Sequence, residues 1–397
     1  MVGAPALRTL TRSVVRCWLA VVHASGRPEV RKSDAMVTRG ASWRRPARRA
    51  RNLTALLRGA LVAVVCLLGA TLPRPATAGP AGRGRAVALI SGHALPAAAA
   101  YPMAPPSTRS YYEDNANPRV LAAQGAQAGR AGAQGLVILD FGRPAFNGVA
   151  DGTVSFRGHF VYLAWVARGV ENYIRSYYRT APAGTVLDVA IGTNNSCSSM
   201  EPCGALVCGC RYEPTDYFGW GEALAATVEQ VGAWSAALRY ALHYTDLVRV
   251  VAADDAEPAF DPGFTNTYNV LAGYATAVGG AQPAMVDDGS AEPYYWSEDQ
   301  LLEVAYGFRP DIPMPQVYFP HQADEWAALA RYAKRIYHKQ LLIFGVMAET
   351  GQGPYAPSVA YANMLSVLAR TTHQASIPWL STIGAIGAGA VPAQAGT

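Results

Sequence analysis

The chain has 397 residues and a formal net charge of +5, and 51% of its residues are hydrophobic. The positive charge comes from residues 1–78, which carry 14 Lys and Arg but 2 Asp and Glu; residues 79–397 therefore have 19 basic and 26 acidic residues, a net charge of −7. A mildly acidic remainder lacks the basic surface typical of nucleic-acid-binding proteins, so no nucleic-acid partner is expected.

Residues 1–78 have the features of a secretion leader. Clustered arginines precede the apolar run Leu53–Leu72, which Arg58 interrupts, and Ala76-Thr77-Ala78 is a small-x-small cleavage signal. This order predicts a signal peptide cleaved after Ala78, with Met36 as an alternative start, and a secreted or cell-wall-associated protein. A membrane anchor is the alternative, because the run is close to the ~20 residues that a span needs. The membrane would then be a partner only through an uncleaved leader.

The remaining chain divides into three parts by composition. Residues 79–133 are rich in Ala, Gly, Pro and Gln without a sustained period, which predicts a flexible tether. Residues 134–383 alternate strand and helix signals, and about 250 residues is the usual size of a (β/α)8 barrel. Residues 384–397 are rich in Gly and Ala and are expected to form a flexible tail.

The 134–383 region contains seven predicted strands. They are 136–141, 185–191, 248–254, 284–288, 314–319, 341–347 and 379–383. Apolar residues at helical spacing lie between them, for example Leu224, Val228 and Val231. Strands that alternate with helices are typical of a parallel sheet with crossover helices. We therefore predict an α/β fold of the (β/α)8 TIM-barrel type, with one strand hidden or the barrel irregular. A doubly wound open sheet is the alternative.

Several predicted strands end in carboxylates, which are the groups an α/β barrel uses at its catalytic mouth. Asp255 and Glu257 follow a strand of Val and Ala and are two residues apart, so both side chains can project the same way. Such a pair gives one proton donor and one anion, which glycoside hydrolysis requires. Further candidates for this site are Asp140, Asp287, Asp288 and Glu349. The alternative is structural: the acids cap helices or bind backbone amides, as Asp255 and Asp261 would near Phe264.

Amide and aromatic side chains near the strand ends are candidates for binding a sugar. They are Asn194, Asn195, Trp220, Tyr295, Trp296, Gln316 and Tyr318. Amides can hydrogen-bond sugar hydroxyls, and flat rings can stack on a sugar. The alternatives are a turn in which the asparagines bind the backbone, and packing of the aromatic rings in the core.

Four cysteines of the 79–397 region lie in one short loop: Cys197, Cys203, Cys208 and Cys210. In an oxidising compartment they predict two disulfides, either Cys197–Cys208 with Cys203–Cys210 or the nested arrangement. A zinc site is the alternative, although paired C-x-x-C knuckles are missing. The chain has no H-E-x-x-H and no P-loop motif, so no metal and no organic cofactor is expected.

The triplet Asp255-Ala256-Glu257 resembles the D-x-E strand end of chitinase-like and lysozyme-like glycosidase barrels, although Ala253 stands where the longer chitinase motif has another Asp. The segments 139–144 and 190–196 resemble secreted actinobacterial glycoside-hydrolase-like barrel proteins. The resemblance implies that Glu257 is the acid and Asp255 its partner. We therefore expect a secreted hydrolase of a cell-wall or environmental polysaccharide, with a non-catalytic carbohydrate- or cell-wall-binding barrel as the alternative.

Overall fold

The computed structural model describes residues 104–196, 212–261, 263–279, 282–293, 295–308, 311–350 and 355–384. The strands are β1 (Thr108–Tyr112), β2 (Gly135–Asp140), β3 (Arg143–Phe146), β4 (Asp151–Val154), β5 (Phe160–Tyr162), β6 (Val186–Asn194), β7 (Leu247–Asp255), β8 (Met285–Asp287), β9 (Asp311–Pro313), β10 (Gly345–Thr350) and β11 (Trp379–Gly384). The helices are α1 (Pro118–Arg130), α2 (Leu163–Thr180), α3 (Tyr217–Leu242), α4 (Thr265–Ala277), α5 (Glu298–Tyr306), α6 (Pro320–Tyr337) and α7 (Pro357–Thr371). None of these helices is both long and apolar enough to cross a membrane.

Eight of the strands form one curled parallel sheet. Its order is β10-β11-β1-β2-β6-β7-β8-β9. The strands of this sheet therefore follow the order of the chain, apart from β3–β5, which are inserted between β2 and β6, and the last strand pairs with the first. A doubly wound sheet reverses its strand order at a switch point, so that alternative is wrong. The α/β prediction is confirmed, and the sheet is consistent with a (β/α)8-like barrel that is not closed.

The two edges of the sheet meet without forming a regular ladder. The segment after β9 makes three backbone hydrogen bonds with the β10 region, and we call this contact the seam. Phe344 N donates to Pro313 O (2.9 Å), Met347 N to Pro315 O (2.8 Å) and Val317 N to Met347 O (2.8 Å). Proline has no N–H, so Pro313 and Pro315 accept but cannot donate, which explains why pairing stops here.

The curled sheet has two differently packed faces. The concave face carries side chains from distant strands that contact one another, among them Ile138, Ala253, Val286 and Met347. The convex face packs against the helices. Alternate residues of a strand point to opposite faces, so these side chains fix the direction of every strand-end residue.

A small antiparallel sheet, β3-β4-β5, lies between β2 and α2. It was not predicted. It is joined to the end of β2 through Gly142, which has a positive φ of 89° and whose added Cβ would lie 2.1 Å from Val154 O. Only glycine fits such a close approach in that conformation.

The predicted tether is wrong in its last part, because β1 and α1 lie within residues 79–133. β1 is the eighth strand that the sequence hides. Its inward side chains are polar: Ser110 Oγ lies 2.7 Å from Ser381 Oγ and accepts the Ile138 N–H at 2.8 Å. The predicted strand 314–319 is also wrong, because β9 ends at Pro313. The leader, most of the tether and the tail after Gly384 lie outside the described residues.

Candidate functional site

Three carboxyls lie together on the concave face at the C-terminal ends of their strands. Asp140 ends β2, Asp255 ends β7 and Asp288 follows β8, and each is buried. Each shares its face with a member of the concave core two residues earlier: Ile138, Ala253 and Val286, respectively. We call them the concave carboxyls.

The pKa values of these groups reflect their shared surroundings. Burial raises the pKa of Asp255 well above its usual value, and repulsion from Glu257, Asp288 and Asp140 adds to the shift. The pKa of Asp288 is raised by burial and by Asp140. Within the described residues, Asp288 Oδ1 has no hydrogen-bond partner. Strand ends that are distant in sequence therefore form one acidic site.

Glu257 lies beside Asp255, as the two-residue spacing predicts. Ser290 Oγ donates a 2.6 Å hydrogen bond to Glu257 Oε2. Burial raises the pKa of Glu257 to about 7, although the bond from Ser290 lowers it. Asn195 positions the backbone: its Nδ2 donates to Glu257 O (3.0 Å), and its Oδ1 accepts the Glu257 N–H (2.9 Å). Asn195 is thus a supporting residue, as the alternative interpretation expects.

Gln316 and Tyr318 reach the same site from the segment after β9. Gln316 Nε2 donates a hydrogen bond to Asp255 Oδ1. The pKa of Tyr318 is raised well above its usual value by burial and by the charges of Asp255 and Asp288. The pKa of Tyr112 in β1 is also raised well above its usual value, by burial first and then by Tyr318 and the concave carboxyls. Tyr112 was missed in the sequence because its segment was assigned to the tether.

Asp140 is tied to its neighbours more tightly than the other concave carboxyls. Its Oδ1 accepts the Gly142 N–H at 2.6 Å, and Asn194 Nδ2 lies 3.3 and 3.2 Å from its two oxygens. Burial raises the pKa of Asp140 to about 6, against the lowering effect of these donors. Asp140 therefore fits both the site interpretation and the structural interpretation of the strand-end acids, since it lines the acidic site and also binds the backbone amide of the turn after β2.

A second group of carboxyls lies on the convex face, between the sheet and the helices. It consists of Asp254, Asp287 and Asp311, which we call the convex carboxyls; Asp254 and Asp287 are direct register partners of β7 and β8. Burial raises the pKa of Asp287 to about 7, although the Gly289 N–H donates to its Oδ1 at 3.2 Å and lowers it. The structure thus places Asp287 on the face opposite to the concave carboxyls, because a neighbour in a strand points the other way.

Two of the candidate aromatic rings are core residues, and Glu349 lies apart from the other carboxyls. Trp220 is fully buried and its Nε1 donates to Gly152 O at 2.8 Å. Trp296 is 2% exposed and its Nε1 donates to Asp261 O at 2.7 Å. These two rings pack in the core, so their prediction as sugar-binding platforms is wrong. The pKa of Glu349 is raised by burial alone, without another carboxyl, and Tyr295 is 58% exposed.

The structural alternative is right for Asp261, whose Oδ2 accepts the Thr267 N–H at 3.0 Å in the first turn of α4. The predicted disulfides fall on residues outside the described part of the chain. Within the described part, no three His, Cys, Asp or Glu side chains are arranged to hold a metal ion.

No family model and no curated protein matches the sequence. Among solved structures, the chain is similar to the crystal structure of a conserved exported protein from Bacteroides fragilis, with 10% sequence identity and a TM-score of 0.34. The likeness covers 72% of this chain and 70% of that chain. A TM-score this low supports no conclusion about function.

Proposed function

We propose that the protein is an exported glycoside hydrolase that cleaves a cell-wall or environmental polysaccharide, with the curled sheet serving as a (β/α)8-type barrel. The observation that carries the proposal is the pair at the end of β7, where the charge of Glu257 raises the pKa of Asp255 and the pKa of Glu257 is about 7. The predicted leader supports export.

The pair supplies a proton donor and an anion. Burial raises both pKa values, and the charge of Glu257 raises that of Asp255 further. The two protons therefore leave in separate steps, and between those steps one carboxyl is protonated and one is ionised. Glu257 is the proposed donor because it is the more accessible carboxyl of the pair. Ser290 holds one of its oxygens in place. Asp255 is held in place by Gln316.

The proposed reaction follows from these protonation states. Glu257 gives its proton to the glycosidic oxygen as the C–O bond breaks, so the first sugar leaves as an alcohol. When the one proton of the pair is on Glu257, Asp255 carries the negative charge and stabilises the positive charge that develops on the remaining ring. Water then adds to the anomeric carbon and its proton returns to Glu257, which restores the starting state.

The test is a screen of the purified protein against peptidoglycan, chitin and β-glucans, with release of reducing ends as the measurement. Glu257→Gln and Asp255→Asn should each lower kcat by at least about 100-fold, because each removes one member of the pair. Asp299→Asn, an exposed change on α5, is the matched control and should retain activity. Activity that survives Glu257→Gln unaltered would remove Glu257 from the mechanism.

A non-catalytic carbohydrate-binding protein is the second candidate. It is favoured by the deep burial of Asp255 and Asp288, which are 4% and 3% exposed and whose raised pKa values favour neutral carboxyls that donate hydrogen bonds. A neutral carboxyl can bind a sugar hydroxyl without doing chemistry. Binding of a glycan without release of reducing ends from any substrate would support this candidate.

A further inference from the structure

A surface cleft of about 440 Å³ lies between the β1–α1 loop and the start of α2. Residues that line it include Asn115, Asn117, His159, Phe160, Trp165 and Arg168. None of them belongs to the acidic site. The volume lies within the range of ~300–1,000 Å³ that is usual for small-molecule sites.

Trp165 presents an open aromatic face on the wall of this cleft. It is 54% exposed, which is unusual for so large a ring. Its position is fixed by Tyr162, whose ring contacts it edge-on with a centroid distance of 4.9 Å. The Tyr162 hydroxyl in turn accepts a 3.1 Å hydrogen bond from Asn147 Nδ2. The indole is therefore exposed and also held by its neighbours.

The polar side chains of the cleft are mainly hydrogen-bond donors. Asn115 Oδ1 accepts the Asn117 N–H, and Asn117 Oδ1 accepts the Arg119 N–H, each at 3.0 Å. Both amide oxygens are thus occupied, whereas neither amide nitrogen has a partner among the described residues. Arg168 adds a guanidinium, which can only donate. The matching ligand combines acceptor oxygens with an apolar face.

The cleft is connected to the acidic site through the chain. One wall follows β1, whose last residue is Tyr112, and the other is formed by β5 and the start of α2. The ring of Phe156, in the loop before β5, contacts the ring of Tyr112 edge-on at 5.1 Å. Phe156 thus links the segment that leads into the cleft to Tyr112, whose pKa the concave carboxyls raise.

We propose that this cleft binds a pyranose unit of a polysaccharide, with Trp165 stacked on the C–H face of the sugar and Asn115, Asn117 and Arg168 donating to its oxygens. A pyranose has a flat C–H face, which can stack on the indole ring, and a rim of oxygens, which can accept hydrogen bonds from the donors of the cleft. The identity of the polymer, and only that, rests on the proposed function. The site would hold the chain at a distance from the bond that is cleaved.

The test measures sedimentation of the protein with insoluble peptidoglycan and with chitin, in the Glu257→Gln background so that turnover does not consume the ligand. Trp165→Ala should weaken binding to at least one of them about tenfold, and Trp165→Phe should retain most of the affinity. Arg168→Ala should weaken the same binding by a smaller factor. Tyr240→Ala, which removes an aromatic ring that is 84% exposed outside the cleft, is the matched control and should bind as the parent does.

The outcomes separate this proposal from the hydrolase. Binding that is sensitive to Trp165→Ala, without hydrolysis by the unmodified protein, supports the cleft and rejects the hydrolase. Hydrolysis that needs Glu257, with binding and KM unchanged by Trp165→Ala, rejects the cleft alone. A parent protein that sediments with neither glycan also rejects the cleft. Near-parental thermal midpoints show that a loss of binding is not a loss of folding. If Trp165→Ala does not fold, Arg168→Ala decides, because unchanged binding by that variant rejects the cleft.

Discussion

Replacing Asp287 with asparagine should stabilise the protein at alkaline pH and leave its stability at acid pH almost unchanged. Asp287 is buried on the convex face, and its pKa rises from 3.8 to about 7 on folding, chiefly because burial disfavours the charge. The folded state therefore holds this proton more tightly than the unfolded chain does. The stabilisation is complete below pH 3.8 and is lost as the pH rises to 7.

The size of the effect follows from the shift. Three pKa units at 1.36 kcal/mol each correspond to about 4 kcal/mol, which is a large part of the ~5–15 kcal/mol stability of a typical domain. An asparagine cannot ionise, and its side-chain oxygen can still accept the Gly289 N–H. The difference in free energy of unfolding between Asp287→Asn and the parent should thus grow from near zero at pH 4 to about 4 kcal/mol at pH 8.

Urea unfolding of both proteins at pH 4, 6 and 8 gives this difference directly. The charge of Asp287 also raises the pKa values of Asp254, Asp288 and Asp311, so its removal relieves them and acts in the same direction at high pH. Asp299→Asn is the control with the opposite sign. Hydrogen bonds from Tyr337 and Tyr332 lower the pKa of Asp299, so its contribution is present at high pH and lost at low pH. Asp299→Asn should therefore be destabilised at pH 8. A difference for Asp287→Asn that stays constant across the range, or that favours the parent at pH 8, would refute the reasoning.

Three other changes test the acidic site. Ser290→Ala removes the donor that lowers the pKa of Glu257, so the alkaline limb of kcat/KM against pH should move upward from about pH 7. Gln316→Leu removes the hydrogen bond to Asp255 and should raise the pKa of that carboxyl, which moves the acid limb of the same profile upward. Gly289→Ala should lower the free energy of unfolding by about 1–3 kcal/mol in urea titrations, because the new Cβ would lie 2.1 Å from the carbonyl oxygen of the residue before Glu257.

The sequence predicts the parallel sheet because most of its strands are buried on both faces and therefore contain continuous apolar runs, as in Val250–Ala253. It hides β1 for the opposite reason. Thr108 and Ser110 face the concave side as polar residues, and their partner Ser381 is 271 positions from Ser110 along the chain. Without knowledge of that partner strand, the polar residues of β1 cannot be told from the tether that precedes them.

The candidate site was predicted in part for a similar physical reason. Strand periodicity places Asp255 and Glu257 on one side, and this is what the structure has. The doublet Asp287-Asp288 cannot be divided between the two faces until the register with β7 is known, because a shift of one residue exchanges them. The burial of Trp220 depends on the unpredicted β3–β5 sheet, whose Gly152 carbonyl accepts its indole N–H.

The seam also separates the sheet into a firmly bonded arc and a weakly bonded edge. All three concave carboxyls belong to the arc, which runs without interruption from β1 through β8. Thermal fluctuations should then separate the two edges of the sheet first at the seam, where Pro313 and Pro315 cannot donate hydrogen bonds. Deuterium should exchange at the amides of Phe344 and Met347 sooner than in β6 or β7. The seam can therefore open locally while the spacing of the concave carboxyls is kept.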